Sequence, residues 1–75
     1  MKLYNTEQIG SAIRARRKQL EVTQRELALT SGVGLRFVVE LEKGKPTCQF
    51  GKALKVMQAL GLGLHLEIPV HITAR

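Results

Sequence analysis

Thr23 and Glu26 stand three residues apart, with Val22 before them and Leu27 after them. The threonine hydroxyl can accept from the amide of residue 26, and the glutamate can reach back to the amide of Thr23. This is a capping box, and it opens a helix. Val22 and Leu27 have the spacing of a hydrophobic staple across the same helix start. Ser31-Gly32 ends that helix, since glycine accepts a left-handed backbone. A second short helix is expected after Gly34 and to about Glu42 or Lys43, with Val33 and Val38 at staple spacing. Phe37, Val38 and Leu41 give it an apolar stripe. Gly44 suits the position just past its end, and Pro46 blocks continuation. Only Gly32-Val33-Gly34 separates the two helices. So short a connection forces a sharp angle between them, and this restricts the fold more than any other feature.

The flanks supply the rest of the domain. A first helix is expected from Thr6 to Leu20, capped by Asn5 or Thr6, with Ile9, Ala12, Ile13 and Leu20 at helical spacing. Arg14, Arg16, Arg17 and Lys18 lie toward its end, where cations favour the negative pole of the helix dipole. A last helix is expected from Thr47, its cap, to Leu60. Phe50, Leu54, Met57 and Leu60 are assigned to the core, and Gly61 is the stop. Leu62, Leu64, Leu66 and Ile68 then alternate with small or polar residues, which is the period of a half-buried strand. Pro69 ends it. No other stretch alternates over comparable length, and a lone strand leaves its backbone groups unpaired. The same strand of a second copy, related by a two-fold axis, would satisfy them. The competing reading is an extension lying over the helical core.

Charge narrows the function. The chain has 75 residues, 12 Lys and Arg, 6 acids (all Glu) and a net charge of +6. Eleven of the basic and five of the acidic residues fall within residues 1–60, so that stretch carries the whole excess. A small basic domain reads first as a partner for a polyanion. No apolar run approaches the ~20 residues of a membrane span, and residues 1–10 lack the apolar stretch of a signal peptide. Cys48 is the single cysteine, which fits a reducing, cytoplasmic setting and gives no disulfide. His65 and His71 have no Cys, third His or Asp beside them, so neither a metal site nor a catalytic triad is expected. No phosphate-binding Gly-rich loop with a terminal Lys occurs. A chain this small also leaves little room for a catalytic cleft. The expectation is therefore a non-enzyme without cofactor or metal.

Two short helices, a tight glycine-containing turn, a capping box and basic flanks make a helix-turn-helix. In that arrangement Thr23 to Thr30 is the positioning helix, and Leu35 to Glu42 is the recognition helix that enters the major groove. The segments Gln8-Ile9-Gly10, Val22-Thr23-Gln24-Arg25-Glu26-Leu27-Ala28, Ser31-Gly32-Val33-Gly34 and Glu40-Leu41-Glu42-Lys43-Gly44-Lys45 resemble the XRE/Cro/CI-type helix-turn-helix regulators. The resemblance covers about residues 6 to 60. A C-terminal helix followed by Leu-x-Leu-x-Leu-x-Ile is similar, more narrowly, to HipB-type antitoxins.

The resemblance implies an all-α, lambda-repressor-like domain of four to five helices over residues 1–61, with one short C-terminal β-strand and tail over 62–75 that pairs across a homodimer. It implies a repressor on a palindromic double-stranded operator that regulates its own operon and binds a HipA-like Ser/Thr kinase toxin. It also carries roles onto positions of this sequence. Gly34, Leu35, Arg36 and Val39 match the positions used at base edges. Gln24 matches a phosphate-contacting glutamine, with Thr23 beside it, and Glu42 matches a glutamate that forms an internal ion pair, here with Arg14 or Arg17.

The chemistry of the residues fills in that outline. Arg36 can bind guanine O6 and N7 bidentately, or it can hold a phosphate, which carries no sequence information. Leu35 and Val39 are apolar and suit a thymine methyl group. Glu40 either accepts from cytosine N4 or pairs with a nearby cation. Lys43 and Lys45 follow the recognition helix and are candidates for phosphate, as is Arg17 among the four cations of the first helix. Leu62, Leu64, Leu66 and Ile68 are the candidate dimerisation residues. Two other classes stay open: a stand-alone regulator, such as a phage-type repressor or restriction controller without a toxin partner, and a module whose basic face serves RNA or protein. Only three aromatic residues, Tyr4, Phe37 and Phe50, occur, which disfavours the stacking used on single strands.

Overall fold

A computed structural model describes residues 5–63. Four helices follow one another: α1 Thr6–Gln19, α2 Gln24–Ser31, α3 Leu35–Glu42 and α4 Phe50–Ala59. No strand occurs among the described residues. Of the alternating residues of the expected strand, only Leu62 is described. It packs against the core, and its amide bonds to the Met57 carbonyl at 2.8 Å. Leu64, Leu66 and Ile68 lie outside the described residues, as do His65, His71 and Tyr4.

The starts of α1, α2 and α3 follow the sequence reading closely. Asn5 caps α1 by accepting from the Gln8 amide at 2.8 Å. Thr23 caps α2, with Thr23 Oγ1 accepting from the Glu26 amide at 3.0 Å and Glu26 accepting from the Thr23 amide at 2.9 Å. That second bond, reinforced by the Thr23 side chain, holds the Glu26 carboxyl below its ordinary value. All four helices stop the same way. A residue in the left-handed region follows each one (Glu21, Gly32, Gly44 and Gly61). The next amide then returns to a carbonyl five residues back, as in Val22 to Arg17, Val33 to Ala28, Lys45 to Glu40 and Leu62 to Met57. This is the Schellman arrangement, which satisfies carbonyls a helix end leaves open.

The core is Ile13, Leu27, Ala28, Val38, Leu41, Val56, Met57 and Leu60. Two helices depart from the sequence reading. In α4 the buried stripe is Val56, Met57 and Leu60, with Ala53 partly buried, while Phe50 is 66% exposed. The helix also starts at Phe50 after Gln49, two residues later than a Thr47 cap would place it. Pro46-Thr47 form a turn, and Cys48 packs against the core from non-helical backbone, so the chain is still being turned inward where a helix was expected. In α1, Leu20 is 43% exposed. The inward stripe instead runs Ile9, Gly10, Ile13 and on to the half-buried Arg16 and Arg17.

Gly10 lets α1 lie on the end of α3. A Cβ there would meet the Leu41 carbonyl oxygen at 2.5 Å and that of Glu42 at 2.7 Å. The start of α1 is fixed to the following loop, where Thr6 Oγ1 donates to the Gly44 carbonyl at 2.7 Å. Near its other end, Arg16 Nε donates to the Leu60 carbonyl at 3.0 Å, satisfying a carbonyl past the end of α4.

Two outcomes follow for urea denaturation. Val56→Ala, which removes buried methyl groups, is expected to cost about 2 kcal/mol, whereas Phe50→Ala should stay within about 0.5 kcal/mol of the parent. Glu21 is the one non-glycine among the four left-handed stops, and its charge sits at the negative pole of α1. Glu21→Gly should therefore stabilise the domain by about 0.5–1 kcal/mol, seen as a rise of a few degrees in Tm.

Candidate nucleic-acid interface

The interface is built on a buried ion pair. Glu42, the last residue of α3, accepts from Arg17 of α1 through two bonds: Nε to Oε2 at 2.7 Å and Nη2 to Oε1 at 3.1 Å. Arg17 Nη1 also donates to the Val22 carbonyl, in the loop before α2, at 2.9 Å. Gln24, the first residue of α2, donates from Nε2 to Glu42 Oε1 at 3.1 Å. The side chains of Arg17 and Glu42 are only 11% and 3% exposed. One carboxylate thus joins α1, α2 and α3. Of the two partners expected for Glu42, the structure selects Arg17. The same geometry commits the Arg17 guanidinium to the interior of the domain. Arg14, one turn earlier, stays exposed and lines a shallow cleft with Gln24, Val39, Glu42 and Lys43.

This cleft gathers three of the sequence candidates, Gln24, Val39 and Lys43, beside a cation that sequence reasoning left undistinguished among four. The signal was available. Arg17 continues the i, i+4 row from Ile9 and Ile13, so it turns inward, while Arg14 does not lie on that row.

The other candidates lie along the outward part of α3 and its ends. Gly34 precedes the helix with no side-chain cap, and nothing stands within 4 Å of where its Cβ would be. Leu35 is 37% exposed. The Arg36 side chain is 90% exposed and reaches Glu40, one turn on, through Nε at 3.3 Å. Lys45 Nζ meets the other oxygen of Glu40 at 3.3 Å. The Lys45 contact, with Arg36 adding to it, lowers the Glu40 pKa from its ordinary value despite some desolvation. Of the two roles weighed for Glu40, pairing with cations is the one present here. Thr23 is exposed at the start of α2 while serving as its cap.

Chemically, the surface offers backbone and side-chain donors at the α2 start, cations on both flanks of α3, and an apolar-plus-arginine stripe between them. Among the described residues no group of three or more His, Cys, Asp or Glu could hold a metal ion, and no helix is long and apolar enough to cross a membrane.

Because Glu42 serves three helices, its loss should be severe. Glu42→Ala leaves a buried guanidinium unpaired and is expected to cost on the order of 3–5 kcal/mol, a large share of what a domain this small possesses. Replacing both partners, Arg17→Met with Glu42→Leu, should cost less than Glu42→Ala alone in the same denaturation measurement.

Comparison with known proteins gives a consistent picture. The family described as Helix-turn-helix (HTH_3) matches residues 13–66. The "Uncharacterized HTH-type transcriptional regulator y4mF" of Sinorhizobium fredii (strain NBRC 101917 / NGR234) is 51% identical over 61 residues, covering 81% of this chain and 80% of that protein. Among solved structures, a chain of the "HipB-O4 20mer complex" superposes with a TM-score of 0.84 at 26% identity, over 91% of this chain and 96% of that one. A chain of the "Structure of HipA-HipB-O2-O3 complex" gives the same values. The tight α2–α3 pair, the shared fold and the sequence matches converge: this chain belongs to the XRE-type helix-turn-helix family of transcriptional regulators.

Proposed function

We propose that the chain is a sequence-specific, duplex-DNA-binding repressor that acts as a homodimer on a palindromic operator in the cytoplasm. The observation that carries this reading is the outward stripe of α3, Leu35, Arg36 and Val39, left open at the Gly34 end and flanked by exposed cations. Gly34, Leu35, Arg36 and Val39 meet base edges. Thr23 and Gln24, with the amides at the α2 start, meet phosphate, as do Lys43, Lys45 and Arg14. Arg17 supports that surface from beneath through Glu42. Residues 62–75 supply the dimer contact through Leu62, Leu64, Leu66 and Ile68. A two-fold dimer sets two recognition helices about 34 Å apart, one turn of DNA.

The narrower reading is that the chain is the antitoxin of a HipBA-like pair. It regulates its own operon and binds a HipA-like Ser/Thr kinase toxin. The likeness to HipB chains solved in an O4 20mer complex and in a HipA-HipB-O2-O3 complex supports it, together with the leucine alternation after Gly61. Tagged protein purified from its native host at low salt tests it: a stoichiometric kinase-like protein is expected by mass spectrometry. Recovery of the homodimer alone, from a host making no such kinase, favours a stand-alone regulator.

Operator binding has its own test in fluorescence anisotropy across a salt series. Log affinity should fall linearly with log salt, with a slope of roughly −0.9 for each phosphate neutralised. Lys43→Gln should make the slope shallower by about 0.9 for each protomer and weaken operator and unrelated duplex alike. A salt-insensitive affinity would contradict the assignment.

A further inference from the structure

Arg36 is held by one nitrogen, and it is the nitrogen that bidentate base recognition does not require. Its Nε donates to Glu40 Oε2 at 3.3 Å, while its two terminal nitrogens carry no hydrogen bond among the described residues and its side chain is 90% exposed. The second Glu40 oxygen is engaged by Lys45 Nζ at 3.3 Å, and the Lys45 side chain remains 47% exposed. An ammonium has three donors, so Lys45 can hold Glu40 and a phosphate at once. The three residues form a relay along one edge of α3, from a cation at the end to a guanidinium near the start.

From this geometry we propose that Glu40 is a positioning and specificity-determining residue, which makes Arg36 a reader of guanine in place of a phosphate clamp. The inference rests on the duplex-DNA reading above. Two effects of one carboxylate produce it. Bound at Nε, the guanidinium is restrained with both terminal nitrogens free for guanine O6 and N7. The negative charge of Glu40 also offsets part of the Arg36 charge, which weakens a non-directional hold on phosphate without occupying the fork that guanine takes. Lys45 adds a condition: a phosphate that fixes Lys45 also fixes Glu40, and so links backbone register to base reading.

The test selects duplexes from a random-sequence pool with the full chain and with Glu40→Gln, Arg36→Lys and Lys45→Gln, each checked for an unchanged melting temperature. The wild-type chain should enrich a guanine at one position of each half-site. Arg36→Lys, which keeps the charge but loses the fork, should abolish that preference. Glu40→Gln should reduce it on the order of 10-fold while binding unrelated duplex several-fold more tightly. Lys45→Gln should weaken it by a smaller factor. Placing 7-deazaguanine, which lacks the N7 acceptor, at that position should lower wild-type affinity on the order of 10-fold and leave Arg36→Lys unchanged. Glu40→Gln with an intact guanine preference, or with an equal loss on all duplexes, overturns the inference, as does Arg36→Lys that changes only the salt slope. Selection of a sequence without that guanine overturns this inference alone. A wild-type chain that selects no sequence overturns the operator-binding reading and this inference with it.

Discussion

The Arg17–Glu42 pair decides whether the surface exists. Two charges taken out of water are stabilising only when nearly all their hydrogen-bonding capacity is met, and here it is largely met: two bonds between the partners, one to the Val22 carbonyl and one from Gln24. The apolar core brings the helices together, but a core of Leu, Ile and Val tolerates small shifts of packing. A bidentate pair with directional bonds to three helices does not. It sets the position of the recognition helix relative to the helix that precedes it. The residues around it that face solvent need only supply charge and shape.

A division of labour among the basic residues results. Arg16 and Arg17 are structural: one holds the Leu60 carbonyl and the other holds Glu42. Arg14, Lys43, Lys45 and Arg36 remain at the surface. Net charge is thus a poor guide to how many cations a polyanion would meet, since Arg16 and Arg17 are committed to bonds within the domain.

Most of the architecture was legible because the decisive signals are local. A capping box and a glycine after a helix act within a few residues, and each was met where the spacing placed it. The parts that were misread depend on distant contacts. Phe50 shares its helical spacing with Leu54, Met57 and Leu60, which do pack in or against the core, and only the angle at which α4 meets the core leaves Phe50 outside and brings Val56 in. The late start of α4 has the same origin, because Cys48 is drawn to a core that sequence periodicity does not describe. Arginine is read as an exposed residue by default, so the row Ile9, Ile13, Arg16 and Arg17 was cut short by composition when geometry continued it. The choice between Arg14 and Arg17 as the partner of Glu42 needed three-dimensional distance alone.

The bond from Arg16 to the Leu60 carbonyl gives α1 a second task. Leu60 is where α4 ends and the chain departs toward residues 64–75. Arg16 is next in sequence to Arg17, which braces α3. A pull on the end of α4 therefore acts, through that bond, on the same turn of helix that steadies the recognition helix. Mechanically, α1 is a strut fastened at both ends, and the two extremities of the domain share one bearing.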